Sequence, residues 1–150
     1  MKIYAVIDTN VLVSAMLKWS SVPGGIIASA TNGIIVPVLS EGILREYRTV
    51  LARSKFHITR ETVDDIIGRL EEYGEYITPE KLNADLPDPK DAVFYEVVME
   101  KRKNEDAYLV TGNIKHFPHE YFVVTPREML NILMDYYGPI LRKILLKAEF

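Results

Sequence analysis

Residues 3–10, Ile3-Tyr4-Ala5-Val6-Ile7-Asp8-Thr9-Asn10, decide how the rest of the chain is read. A run of apolar residues rich in strand formers stops abruptly at three polar ones. A strand with one wet face alternates, whereas an unbroken apolar run suits a strand covered on both faces, as in a parallel sheet. Asp8 then stands at the strand's carboxyl end. Val11, Leu12, Ala15 and Met16 recur at helical spacing beyond it, so Asp8 is also placed to cap a helix.

Working outward, the same alternation repeats. A second helix is expected from about residue 23 to 30, ending at Asn32-Gly33, followed by a strand at 34–38 (IIVPV) whose Pro37 favours an edge or a strand end. Ser40 opens a helix with Ile43, Leu44, Tyr47, Val50 and Leu51 on one stripe, and residues 61–73 form another around Val63, Ile66, Ile67 and Leu70. Asp88-Pro89-Lys90-Asp91 begins a helix with proline in its first turn. Strands follow at 107–110 (AYLV) and 121–124 (YFVV), then a capping box, Thr125-Pro126-Arg127-Glu128, opens a helix through Leu133. A tail helix at 139–150 carries Ile140, Leu141, Ile144, Leu145 and Ala148 on one face. Strands separated by helices predict a three-layer α/β/α domain with a mainly parallel sheet, and nothing splits residues 1–150 into two.

Composition bounds the chemistry. With no cysteine, disulfides, thiolate metal sites and thiol catalysis are excluded. The net charge of −3 argues at first sight against a nucleic-acid-binding surface, but its distribution is uneven. Residues 61–100 hold twelve acids and three bases, while the remainder of the chain is net basic. Most of the acidic excess (Glu61, Asp64, Asp65, Glu71, Glu72, Glu75, Glu80) reads as a solvated face. No stretch has the length or apolarity of a membrane span, and no signal peptide is visible, so a cytoplasmic protein is expected.

In parallel sheets functional groups gather beyond the carboxyl ends of the strands. Asp8 and Asn113 each directly follow a predicted strand, and Glu46 and Asp91 lie in the early parts of helices. Taken singly each has a bland reading: Asp8 as a cap, Asp88 and Asp91 as helix-start acids, Glu46 as a solvated helix residue, Asn113 as a turn residue.

Together they resemble a family. Ile7-Asp8-Thr9-Asn10-Val11, the glutamate in Ser40-Glu41-Gly42-Ile43-Leu44-Arg45-Glu46, Asp88-Pro89-Lys90-Asp91 and Leu109-Val110-Thr111-Gly112-Asn113 look like the successive motifs of a PIN domain. The order and approximate spacing match over nearly the whole chain, most nearly in the manner of the VapC-like toxins of toxin–antitoxin pairs. The resemblance implies an endoribonuclease that uses Mg²⁺ or Mn²⁺, with Asp8, Glu46 and Asp91 as metal ligands and catalytic residues. Asn113 would stand where many members carry a fourth aspartate. It implies supporting roles for Asn10 and Thr111, an RNA substrate, a small antitoxin partner and a homodimer or higher oligomer, with no membrane; Asp88, three residues before Asp91, is placed to face the same cleft and partly offset the missing charge at Asn113. A member that binds RNA or a protein partner without cleaving is the alternative.

The chemistry explains the residue types. Hydrolysis of a phosphodiester must neutralise charge that builds on the phosphate, which hard cations do by Lewis-acid activation and by lowering the pKa of bound water. Such ions take oxygen ligands, and converging carboxylates without one repel each other. Asn113 can offer an oxygen but no charge and no base, which weakens any second metal position. An aspartyl phosphotransferase built on Asp8 fits less well. A dehalogenase-like phosphatase needs a second aspartate two residues on, where Asn10 stands. RNA contact is expected from Arg45, Arg48, Arg53 and Lys115, with Lys101, Arg102 and Lys103 as further candidates. His57 reads as an exposed loop residue, His116 and His119 as loop residues that either face solvent or sit at the mouth of the cleft, with the surface role favoured, and Trp19 as a core or interface residue.

Overall fold

The computed structural model describes residues 2–82 and 85–147, in which five strands and six α-helices alternate. β1 (Ile3–Ile7), β2 (Ile35–Leu39), β3 (Glu75–Tyr76), β4 (Ala107–Val110) and β5 (Val123–Val124) form one parallel sheet in the order β3-β2-β1-β4-β5. α1 (Thr9–Leu17) and α2 (Val22–Ala30) lead from β1 to β2, and α3 (Glu41–Leu51) and α4 (Arg60–Tyr73) from β2 to β3. α5 (Ala92–Arg102) precedes β4, and α6 (Pro126–Lys147) follows β5. The helices flank the sheet, giving the expected three-layer α/β/α architecture.

All five residues of β1 are buried, as its continuous apolarity required, because strands pair on both its sides and helices cover both faces. Pro37 lies inside β2 opposite Ala5, in a strand second from the edge. It is tolerated because β3 pairs only with Val38 and Leu39, so the flank of β2 beside Pro37 carries no ladder.

The helix starts follow their side chains. Ser21, Ser40 and Thr59 accept from the amides of Gly24, Ile43 and Thr62. Thr125 and Glu128 form the reciprocal capping box, each side chain taking the other's amide at 3.1 Å. α6 breaks at Tyr137 (φ −132°, ψ 25°), two residues before Pro139, so the tail is a second helical stretch. Ala148 of the expected tail face lies outside the described residues. Gly24 permits the tightest packing here, since a Cβ on it would lie 1.9 Å from the carbonyl oxygen of Trp19. Trp19 itself is half-buried against the core, as expected of a packing residue.

One basic cluster is corrected. Lys101 is buried, donating to Glu75 at 2.7 Å and Glu105 at 3.1 Å with its ammonium 4.0 Å from the centroid of the Tyr4 ring. Arg102 pairs with Asp106 and Tyr121, and Lys103 with Glu80 and Glu100. Lys101 is thereby committed to the scaffold and leaves the set of candidate RNA contacts, while Arg102 and Lys103 hold ion pairs at the surface. Glu75 correspondingly leaves the solvated acidic face and joins the scaffold. Among the described residues no single helix is long and apolar enough to cross a membrane.

Candidate functional site

The site follows from strand order. β1 and β4 are neighbours with Ile7 opposite Val110, and the next residue of each strand begins the chemistry. The ladder continues one step, the Asp8 amide donating to the Val110 carbonyl at 2.9 Å. Asp8 and Thr111 thereby meet although 103 residues apart, and the Thr111 hydroxyl donates to Asp8 Oδ2 at 2.7 Å. This is where strand order reverses direction: β2 lies on one side of β1 and β4 on the other, which opens a crevice.

Asp8 occupies the N-cap position of α1 but makes no capping hydrogen bond with its side chain. Its carboxylate takes Thr111 and, at 3.3 Å, the Asn10 amide. Asn10 is held in turn, its Oδ1 accepting from the Gly112 amide at 3.1 Å. The Thr111 hydroxyl accepts from the Asn113 amide at 3.0 Å, which fixes the direction in which it donates. The β1 and β4 ends are thus tied into one network of Asp8, Asn10, Thr111, Gly112 and Asn113. The supporting roles expected of Asn10 and Thr111 have a direct geometric basis.

Asp8 is only 5% exposed. Burial pushes its carboxyl up to about 6, the nearby negative charge of Asp91 adds to this, and the Thr111 hydroxyl and the amides of Thr9 and Asn10 pull the other way. Beneath it Tyr47 of α3 is fully enclosed and donates to the Ile7 carbonyl at 2.5 Å. Burial raises the Tyr47 phenol, and Asp8 raises it further. Tyr47 therefore stays neutral and acts as a buried strut between α3 and the end of β1.

Asp91 enters from the opposite wall. Residues Pro89–Asp91 form a single 3-10 turn leading into α5, and the Asp88 side chain accepts from the Lys90 amide at 3.0 Å. That local bond realises the helix-start reading of Asp88, yet its charge still bears on the site. Burial raises the Asp91 carboxyl, and Asp88 and then Glu46 push in the same direction, while His116 opposes them. Asp8, Asp91, Asp88 and Glu46 consequently share one field: Asp91 feels all three others or is felt by them. Glu46 is half-buried on α3, one residue before Tyr47.

Asn113 follows Thr111 and Gly112 but is exposed, and its amide side chain has no hydrogen bond among the described residues. His116 stands in a loop turn at the edge of the site, and its contact with Asp91 is the one sequence reading did not supply. The 3-10 turn Ile114–His116 folds back so that His116 Nδ1 lies 3.2 Å from Asp91 Oδ2. Its only signal in sequence was proximity to Asn113, three positions earlier. His57 and His119 are exposed, as expected.

The crevice gathers carboxylate oxygens without sulfur, the type of donor that hard cations take, with Asp8 buried and both Asp8 and Asp91 raised by neighbouring acids. As the side chains stand, no three His, Asp or Glu among the described residues are arranged to hold a metal ion. Of the expected RNA contacts, Arg45 pairs with Glu41 and Arg48 with Asp64, both at exposed positions. Arg53 and Lys115 are exposed and hold no ion pair among the described residues.

Comparison with known sequences places this arrangement. A family model described as the PIN domain matches residues 4–115, a span that contains all of β1 but its first residue, together with Asp8, Glu46, Asp91 and Asn113. PIN domains are generally nucleases. Neither the curated proteins nor the solved structures give a significant match.

Proposed function

The chain belongs to the PIN domain family, and on that footing we propose that it is a divalent-metal-dependent endoribonuclease acting as the toxin of a toxin–antitoxin pair. The observation that carries the catalytic reading is the buried Asp8 carboxylate, pushed up to about 6 and coupled to Asp91 across the crevice. A buried acid raised by a second acid is costly to keep and points to a site whose charge is balanced by something it binds.

Asp8, Glu46 and Asp91 would hold Mg²⁺ or Mn²⁺. When bound, the ion would supply Lewis-acid activation of the phosphate and a more acidic water. The protein's own residues do the rest. Asp8 is oriented by Thr111 and Asn10, so it presents its carboxylate in one direction without searching rotamers. Asp91, with His116 against one oxygen, is held at the start of α5 and can accept a proton from a water in the crevice. Asp88 and Glu46 add negative charge that favours cation entry. Arg53 and Lys115, both exposed, offer phosphate contacts.

The neutral, exposed Asn113 favours a second reading, a member that binds RNA or a protein partner without cutting RNA. RNA incubated with Mg²⁺ or Mn²⁺ separates the two: the enzymatic reading requires cleavage that Asp8→Asn and Asp91→Asn abolish. Co-expression with the product of an adjacent small open reading frame tests the toxin role. Relief of growth arrest together with co-purification supports it, and growth unaffected by the chain alone counts against it.

A further inference from the structure

The segment after Asn113 has two faces. His116 turns towards Asp91, whereas Lys115, Phe117, His119, Glu120 and Tyr121, together with Glu128 of α6, line an open cavity of about 500 Å³. That volume lies in the range of pockets that enclose small ligands, about 300–1,000 Å³. Nothing in the catalytic reading uses it.

The most telling wall is Tyr121. Its ring is 68% exposed, yet it is not free to swing. Arg102 Nη2 donates to its hydroxyl at 2.6 Å, the hydroxyl reaches Asp106 at 3.2 Å, and the ring meets Phe122 edge-on at 5.7 Å. A solvent-facing aromatic surface held in place at three points is a pre-organised platform, and stacking on it costs little ordering entropy. Phe117 supplies a buried apolar floor. Lys115 has no ion pair among the described residues, and the Glu120 carboxylate has no hydrogen bond or ion pair among them. Glu128 gives one oxygen to the Thr125 amide and keeps the other.

A ligand fitting these groups is flat, carries N–H donors for acceptor-only carboxylates, and bears an anion for the lysine. We propose that the cavity receives one unpaired nucleobase of the RNA strand, stacked on Tyr121, with its amino group on Glu120 or Glu128 and a flanking phosphate on Lys115. This rests on the ribonuclease reading, because one short turn borders both this cavity and Asp91, so a strand engaged at the carboxylates passes its mouth. The carboxylates make the pocket selective. Adenine, cytosine and guanine offer an exocyclic amino group; uracil offers a single ring N–H.

The test uses full-length Asp8→Asn protein, which leaves the strand intact, and fluorescein-labelled 12-nucleotide RNAs of adenine or of uracil, read by anisotropy at fixed salt. The adenine strand is expected to bind at least about fivefold tighter than the uracil strand. Tyr121→Ala should weaken adenine-strand binding about tenfold or more, and Lys115→Ala should weaken it and flatten its salt dependence. Tyr121→Phe keeps the ring and loses only the hydroxyl contacts, so it should bind within about threefold of its parent. This separates stacking from a folding defect. Unchanged binding by both Tyr121→Ala and Lys115→Ala, while the wild type still cleaves RNA, overturns the pocket and leaves the nuclease reading standing. Loss of binding in those variants from a wild type that cleaves nothing does the reverse.

Discussion

Replacing Asp8 by asparagine should stabilise the metal-free protein while removing its proposed activity. The carboxyl is 5% exposed and titrates at about 6 in the fold against an ordinary 3.8. Holding it ionised at neutral pH therefore costs the folded state about 3 kcal/mol. Asparagine has nearly the same shape, its carbonyl can still accept from the Thr111 hydroxyl, and it carries no charge for Asp91 to repel. The sign follows from the two titrations. Above pH 6 both folded and unfolded carboxyls are ionised and the cost is complete. As pH falls from 6 towards 3.8 the folded state takes up its proton first and the cost disappears. Asp8→Asn should thus gain about 3 kcal/mol at pH 7.5 in EDTA, equivalent to roughly 6–12 °C in Tm for a domain of this size, and almost nothing at pH 4. Urea unfolding of both proteins across that range measures it. Adding Mn²⁺ should raise the stability of the wild type more than that of the variant, narrowing the gap. A variant less stable than the wild type at pH 7.5, or a difference that does not change with pH, would refute the reasoning.

Three further outcomes follow from the same coordinates. Thr111→Val removes the hydroxyl that donates to Asp8 at 2.7 Å, and activity or metal affinity should fall about 10–100-fold with the fold retained by circular dichroism. Lys101→Ala deletes a cation shared by Glu75 and Glu105 and packed on Tyr4. Because both glutamates remain partly hydrated, the loss should be about 2 kcal/mol, below that for a fully buried pair, and Lys101→Met should recover part of it in the same denaturation assay. Gly24→Ala forces a Cβ into the Trp19 carbonyl and should cost about 2–3 kcal/mol, seen as a lowered urea midpoint.

What sequence could show and what it could not divide along physical lines. β1 was legible because burial on both faces leaves an unbroken apolar run, and Asp8 was legible because it ends that run. The Thr125–Glu128 capping box was legible because both of its partners lie within one turn of helix. β3 was not: Glu75–Tyr76 is two residues long, lies at the sheet's edge and carries no alternation to detect. The last strand, expected at 121–124, is regular only over Val123 and Val124, with the Phe122 carbonyl accepting from the Leu109 amide at 2.8 Å, while the Tyr121 side chain is bonded to Arg102 and Asp106. Lys101 looked like one charge in a basic cluster, since its burial depends on Glu75, which lies 26 residues away. His116 was hidden for the same reason, because its contact with Asp91 spans 25 residues and depends on a turn folding back. The four acids were readable in order only through the family resemblance. Their shared field became visible with the strand order that brings Asp8 and Asp91 to one crevice.

The most direct measurement is the chemistry of the cut ends. A single-stranded RNA labelled at its 5′ end is incubated with wild type, Asp8→Asn and Asp91→Asn in Mg²⁺, in Mn²⁺ and in EDTA, and the termini of the products are identified. A metal held by Asp8, Glu46 and Asp91 would supply an acidic water, and addition of that water to phosphorus with departure of the ribose 3′-oxygen would leave a 5′-phosphate and a 3′-hydroxyl. Only the wild type with a divalent ion should produce them, with both variants reduced at least about 100-fold. Equal cleavage by all three proteins, cleavage that persists in EDTA, or 2′,3′-cyclic phosphate ends would contradict the account.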